Sequence, residues 1–113
     1  MTAAEQKRFY ARHGYLIVAG LLTPRELARL RSALAAVLGR ARRLTKSTRT
    51  FRMVPGLDGR YHVKRVWDPI AQHPAFYKLA FHPRILDVVE RLVGRNIQLQ
   101  QSRLNLKPRT PHA

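Results

Sequence analysis

The stretch TPRELARLRSALAAVLG constrains this chain more than any other. Thr23 precedes Pro24, which suits a first helical position because its missing N–H would have no partner there anyway. Glu26 follows three residues after Thr23, the spacing at which two side chains cap each other's backbone amides. Leu27, Leu30, Leu34, Val37 and Leu38 recur at threes and fours, so they make one apolar stripe, and Gly39 closes the run. A helix with one apolar stripe has to be covered by a second layer. The remaining segments must therefore supply that layer.

Thr2 and Glu5 repeat the capping spacing and predict a first helix of about three turns, stopped at Gly14, where a left-handed backbone is cheap. YLIVAGLL is β-branched and apolar, and predicts a short buried strand. Residues Arg40–Arg60 read as a variable basic excursion, with turn signals at Pro55, Gly56, Asp58 and Gly59. YHVKRVWD alternates as a strand, with Tyr61, Val63 and Arg65 on one face and His62, Lys64 and Val66 on the other. HPAFYKLAF and HPRILDVVERLVG predict two short helices, each with Pro at its first position. Ile85, Leu86, Val89, Leu92 and Val93 form a second apolar face before Gly94.

The end of the chain, IQLQQSRLNLKPRTPHA, predicts a further strand. Period-two alternation would set Ile97, Leu99, Gln101, Arg103 and Asn105 on one face and Leu104 and Leu106 on the other. A guanidinium flanked by amides suits a carboxylate, which accepts paired hydrogen bonds. A solvated strand edge is the competing reading of the same row.

Composition narrows the options. A chain of 113 residues is one domain or part of one, and 45% apolar content is too high for a disordered segment. The absence of cysteine excludes disulfides and thiolate metal sites. The longest apolar run is too short to span a bilayer, so the expectation is a cytoplasmic protein with no membrane association. Twenty-two Lys and Arg against six Asp and Glu give a formal charge of +16, which attracts polyanions through salt-dependent counterion release. The Arg40–Arg52 run, with Phe51 as a stacking ring, is the local candidate for non-specific nucleic-acid binding. It matches no helix-turn-helix or zinc-finger pattern. His13, His62, His73, His82 and His112 lack a carboxylate two residues on, and no pair shares one helix at i,i+4. Capping and surface roles suit them, and neither a catalytic residue nor a metal ligand is assigned. Asp68 and Asp87 likewise lack a partner that would mark acid–base chemistry.

FYARHGYLIVAGLLTPRELARLRSAL resembles the opening of the phytanoyl-CoA dioxygenase family, and RVWDPIAQHPAFYKLAFHPRILDVVERLVGRNIQLQQSRLNLKP resembles its next segment, up to a QSxxNxKP strand. The resemblance implies an α+β chain: N-terminal helices and first strands of a double-stranded β-helix, or jelly-roll barrel, that is incomplete over residues 1–113. It further implies an Fe(II)- and 2-oxoglutarate-dependent oxygenase acting on a small-molecule substrate. On the same grounds Asn105, Arg103 and Arg65 are expected beside the co-substrate, and Gln101 and Arg103 toward substrate. Members of the family continue from NLKP to an iron-binding His-x-Asp, then to a distal His and an Arg that anchors 2-oxoglutarate. This sequence reads RTPHA, with Ala113 after His112. The resulting expectation is a chain that lacks the iron ligands, binds neither cofactor tightly and is inactive alone.

Overall fold

Both predicted capping boxes form. In this computed structural model, which describes residues 1–110, helix α1 spans Ala3–His13 and helix α2 spans Pro24–Gly39. The Thr23 hydroxyl accepts from the Glu26 amide at 3.1 Å, and the Glu26 carboxylate accepts from the Thr23 amide at 2.9 Å. Thr2 and Glu5 make the same exchange at 3.1 and 3.4 Å. Gly14 ends α1 at φ 77°, the left-handed conformation that favours glycine.

The covering layer for α2 is an antiparallel sheet of three strands in the order β1 (Phe51–Pro55), β2 (Tyr61–Trp67), β3 (Arg103–Asn105). Ala33, Val37 and Ala41 lie one turn apart on the helix side and are buried against Phe51, Met53 and Val66. Leu30, Leu34 and Leu38 pack at the margins of this core, while Leu27 is left 39% exposed. Fully burying a side chain of this size contributes about 1.5–3 kcal/mol. Helices α3 (Pro69–Gln72), α4 (Pro74–Ala80) and α5 (Pro83–Val93) connect β2 to β3, and Phe76 of α4 extends the core.

Four sequence expectations are corrected. YLIVAGLL is not a strand: Tyr15 is 54% and Ile17 81% exposed, because no strand among the described residues takes up its backbone groups. The Arg40–Arg60 excursion contains β1, whose buried Phe51 and Met53 alternate with exposed Arg52. Val63 and Val66 do not oppose each other. Register runs Phe51↔Val66 and Arg52↔Arg65 but then Met53↔Val63, so Lys64 is an extra residue and the bulge turns both valines toward the core. The last strand is shorter than its alternation suggests, since Ile97, Leu99 and Gln101 precede the ladder and are exposed.

The predicted helices at His73 and His82 form, and both histidines cap them. The His73 ring accepts from the Ala75 amide at 3.0 Å, and the His82 ring accepts from the Arg84 amide at 3.1 Å. Because His82 Nδ1 is the acceptor, Nε2 carries the proton and donates to Glu26. Arg84 adds a second contact to Glu26 and donates to the Leu21 carbonyl at 2.9 Å. One carboxylate thus ties the start of α2 to the start of α5. His112 lies outside the described residues.

The whole is expanded for its length. Its surface is 9054 Å² where a compact monomer of this mass exposes about 6,300 Å². Its radius of gyration is 17.0 Å against about 13 Å for a single globule of this length. The core lies under one face of the sheet only.

The Thr23 amide, followed by His82, the Thr23 hydroxyl and Arg84, holds the Glu26 carboxyl down from its usual value near 4.5 to about 2. A depressed carboxyl stabilises the fold above its unfolded value and loses that contribution as pH falls through its folded value. Thermal midpoints of the protein should therefore drop between about pH 5 and pH 2, and Glu26→Gln should flatten that fall. Parallel pH profiles for the two proteins would refute this role for Glu26.

Candidate functional site

With Val66 and Leu104 directed at the helices, period-two geometry leaves Arg65, Trp67, Arg103 and Asn105 on the opposite side of the sheet. The ladder aligns them. Arg65 pairs with Asn105 and Trp67 pairs with Arg103 across β2 and β3, while Arg52 pairs with Arg65 across β1 and β2. One row therefore reads Arg52–Arg65–Asn105, and the next sets Trp67 beside Arg103.

Arg65 Nε donates to Asn105 Oδ1 at 2.9 Å, and its guanidinium carbon lies 4.9 Å from the Trp67 ring centre. Among the described residues none of Arg52, Arg65 and Arg103 forms an ion pair. Cations without counter-ions beside an amide make a face that attracts small anions and offers them paired N–H donors. The ladder end behind it is closed by the Asp68 amide, which donates to the Ser102 carbonyl at 3.1 Å, and by the Ser102 hydroxyl, which donates to Asp68 at 3.3 Å.

Three of the residues anticipated from sequence, Arg65, Arg103 and Asn105, are thus brought together. Gln101 is not: the ladder begins at Arg103, and Gln101 is exposed ahead of it. Two members of the face had been missed, Trp67 and Arg52. Trp67 was legible as the residue two beyond Arg65. Arg52 was legible only once Phe51 and Met53 are recognised as an inward pair.

The two larger grooves lie elsewhere. One, of about 920 Å³, is bordered by Leu38, Arg42, Arg43, His62 and Lys107 beyond the end of α2, and one of about 630 Å³ lies between α2 and α4. Neither includes Arg65, Arg103 or Asn105. The candidate site is an open face and not a cavity. In the first groove His62 contacts both Asp58 oxygens at 2.9 Å, a pairing that, with the Arg60 amide, lowers the Asp58 pKa. A side chain at Gly56 would meet the His62 ring and the Asp58 carboxylate, so a larger residue there would displace this pair.

The basic run loses its stacking ring. Phe51 is only 4% exposed, and Arg40 covers it from 5.7 Å while donating to Gln72 at 2.8 Å. The described residues contain no group of three or more His, Asp or Glu placed to hold a metal ion. None of their helices is long and apolar enough to cross a membrane.

A sheet backed by helices on one side and lined with cations and an amide on the other defines an α+β protein whose polar surface is the uncovered side of its sheet. Residues 10–112 match the family described as phytanoyl-CoA dioxygenase (PhyH), and the chain belongs to that family. It is 27% identical over 106 residues to an ectoine dioxygenase of Sphingopyxis alaskensis, an alignment covering 94% of this chain and 33% of that protein. The chain therefore spans about a third of the length of this relative. No solved structure matches it.

The two faces of the sheet should respond differently to truncation. Asn105→Ala and Arg65→Met should each shift unfolding stability by less than about 1 kcal/mol, because their groups remain solvated. Val66→Ala should cost about 2 kcal/mol or more, from lost methyl burial plus the cavity left behind. Denaturant titration of the three variants checks this, and a reversed order would contradict the assignment of faces.

Proposed function

We propose that residues 1–113 form the helical layer and first strands of a double-stranded β-helix oxygenase domain that uses Fe(II) and 2-oxoglutarate. The phytanoyl-CoA dioxygenase family is generally dependent on these two. When bound, they supply oxygen activation, with a substrate C–H hydroxylated as 2-oxoglutarate is converted to succinate and CO2. In this reading the open face of the sheet is the pocket side: Arg65, Arg103 and Asn105 lie along 2-oxoglutarate, and Gln101 and Arg103 lie toward a small-molecule substrate. An ectoine-like substrate class is suggested by the name of the relative alone.

The observation that carries the reading is the Arg65–Asn105 bond on that face. It occupies Nε and leaves the two Nη groups of Arg65 without a protein partner among the described residues. A carboxylate accepting from that fork completes the set, and Arg103 on the next row offers a second cation. The iron does not fit the described residues, which bring together no three ligands. This polypeptide by itself is inactive in our reading.

Two measurements test this. Titrating the isotopically labelled polypeptide with 2-oxoglutarate should shift the Arg65, Trp67, Arg103 and Asn105 signals first. Shifts confined to residues 40–49 would instead favour indiscriminate anion binding by the basic run, and their steep loss with salt would identify it. Separately, the polypeptide supplied with Fe(II), 2-oxoglutarate and ascorbate should release no succinate above background. Sustained turnover would overturn the proposed inactivity.

A further inference from the structure

Trp67 is the chain's one tryptophan, and it takes no part in the core. It is 38% exposed at the end of β2, its amide held by the Thr50 carbonyl at 2.8 Å. The next amide, that of Asp68, is held by Ser102. The backbone beneath the indole is therefore held from both neighbouring segments, which gives the ring a fixed base.

Arg65 rests on that platform. An arginine on an exposed strand normally samples many rotamers, and each hydrogen bond it makes to a ligand then requires ordering it. Here two restraints act on one planar group. The Nε–H···Oδ1 bond to Asn105 holds one edge at 2.9 Å, and the indole, 4.9 Å from the guanidinium carbon, lies against one side of the group. A hydrogen bond alone would let the guanidinium swing about the Nε–H axis. A second contact from the indole would oppose that motion and favour one direction of the Nη pair.

We propose that Trp67 is a positioning residue, holding the Arg65 guanidinium in the orientation in which its Nη pair receives a carboxylate. The inference rests on the reading of this face as the 2-oxoglutarate side and extends it to a residue that acts through Arg65. If Trp67 served only as apolar filling, Arg65 would be equally ordered over any side chain of similar bulk. If it is a platform, an aromatic replacement preserves the effect and an aliphatic one does not.

The test separates the two layers of the argument. In the ligand-free, isotopically labelled polypeptide, water exchange of the Arg65 Nε–H is compared in wild type, Trp67→Phe and Trp67→Leu. Exchange should rise about two- to fivefold in the leucine variant, the equivalent of an exposed cation–aromatic contact, and less in the phenylalanine variant. Unchanged exchange in folded Trp67→Leu would overturn the proposal. Should that variant not fold, Trp67→Val, whose side chain suits a strand, carries the same aliphatic comparison, where release supports the platform and no release rejects it. In a second arm 2-oxoglutarate is titrated against the Asn105 side-chain amide, and its affinity should weaken in Trp67→Leu by a similar factor. Absence of binding to wild type would reject the reading of this face while leaving the exchange result to stand. Equal affinity in wild type and Trp67→Leu, despite a released Arg65, would reject the positioning role.

Discussion

The packing of Ala33 and Val37 of α2, with Ala41 just past its end, against Phe51, Met53 and Val66 decides almost everything else about this molecule. Once that side of the sheet is committed to α2, strand alternation sends every second residue to the other side. That other side holds Arg52, Arg65, Trp67, Arg103 and Asn105. The polar face is thus a consequence of where the core formed. Reversing the helix–sheet contact by one residue of register would place cations in the core, at a cost far beyond what so small a core offsets.

The bulge at Lys64 makes the arrangement possible. Strict alternation cannot direct both Val63 and Val66 inward, because they are three residues apart. With one residue looped out, Val63 packs at the near end of the core and Val66 at its centre, and Arg65 and Trp67 are released to the open face. Bulges re-aim side chains in this way next to functional surfaces. Here the re-aimed side chain is Arg65, which bonds Asn105 and lies over the Trp67 ring.

How much of this was legible follows from the kind of signal each element carries. Helices α1, α2, α4 and α5 were readable because their evidence is local: Thr2 with Glu5, Thr23 with Glu26, and a His–Pro step before each of the last two. Strands depend on partners, and there the reading faltered. YLIVAGLL has the composition of a strand and no neighbour to pair with, whereas FRMVP has a partner in β2 but was hidden among basic residues. Arg65, Arg103 and Asn105 were named from the resemblance, but their meeting depends on a register that no local pattern encodes. Trp67 was missed although alternation places it two residues beyond Arg65, and Arg52 because β1 lay unrecognised in the basic run. The family itself was legible in the order of motifs and is borne out by the match over residues 10–112.

The charge on the open face also bears on stability. Arg52 and Arg65 stand directly opposite each other, and like charges at paired positions oppose strand association. In a chain of formal charge +16 with no acidic partner for either residue among those described, that repulsion is relieved only by solvent and salt. The bond to Asn105 directs the Arg65 guanidinium toward β3, the side of β2 away from β1. An anion seated among the three guanidiniums would remove the remaining repulsion. Because the unfolded chain does not assemble that constellation, such binding adds directly to folding stability, by an amount that grows with the logarithm of ligand concentration. If the open face binds an anion as proposed, the same cations that weaken the isolated sheet would couple its folding to that occupancy.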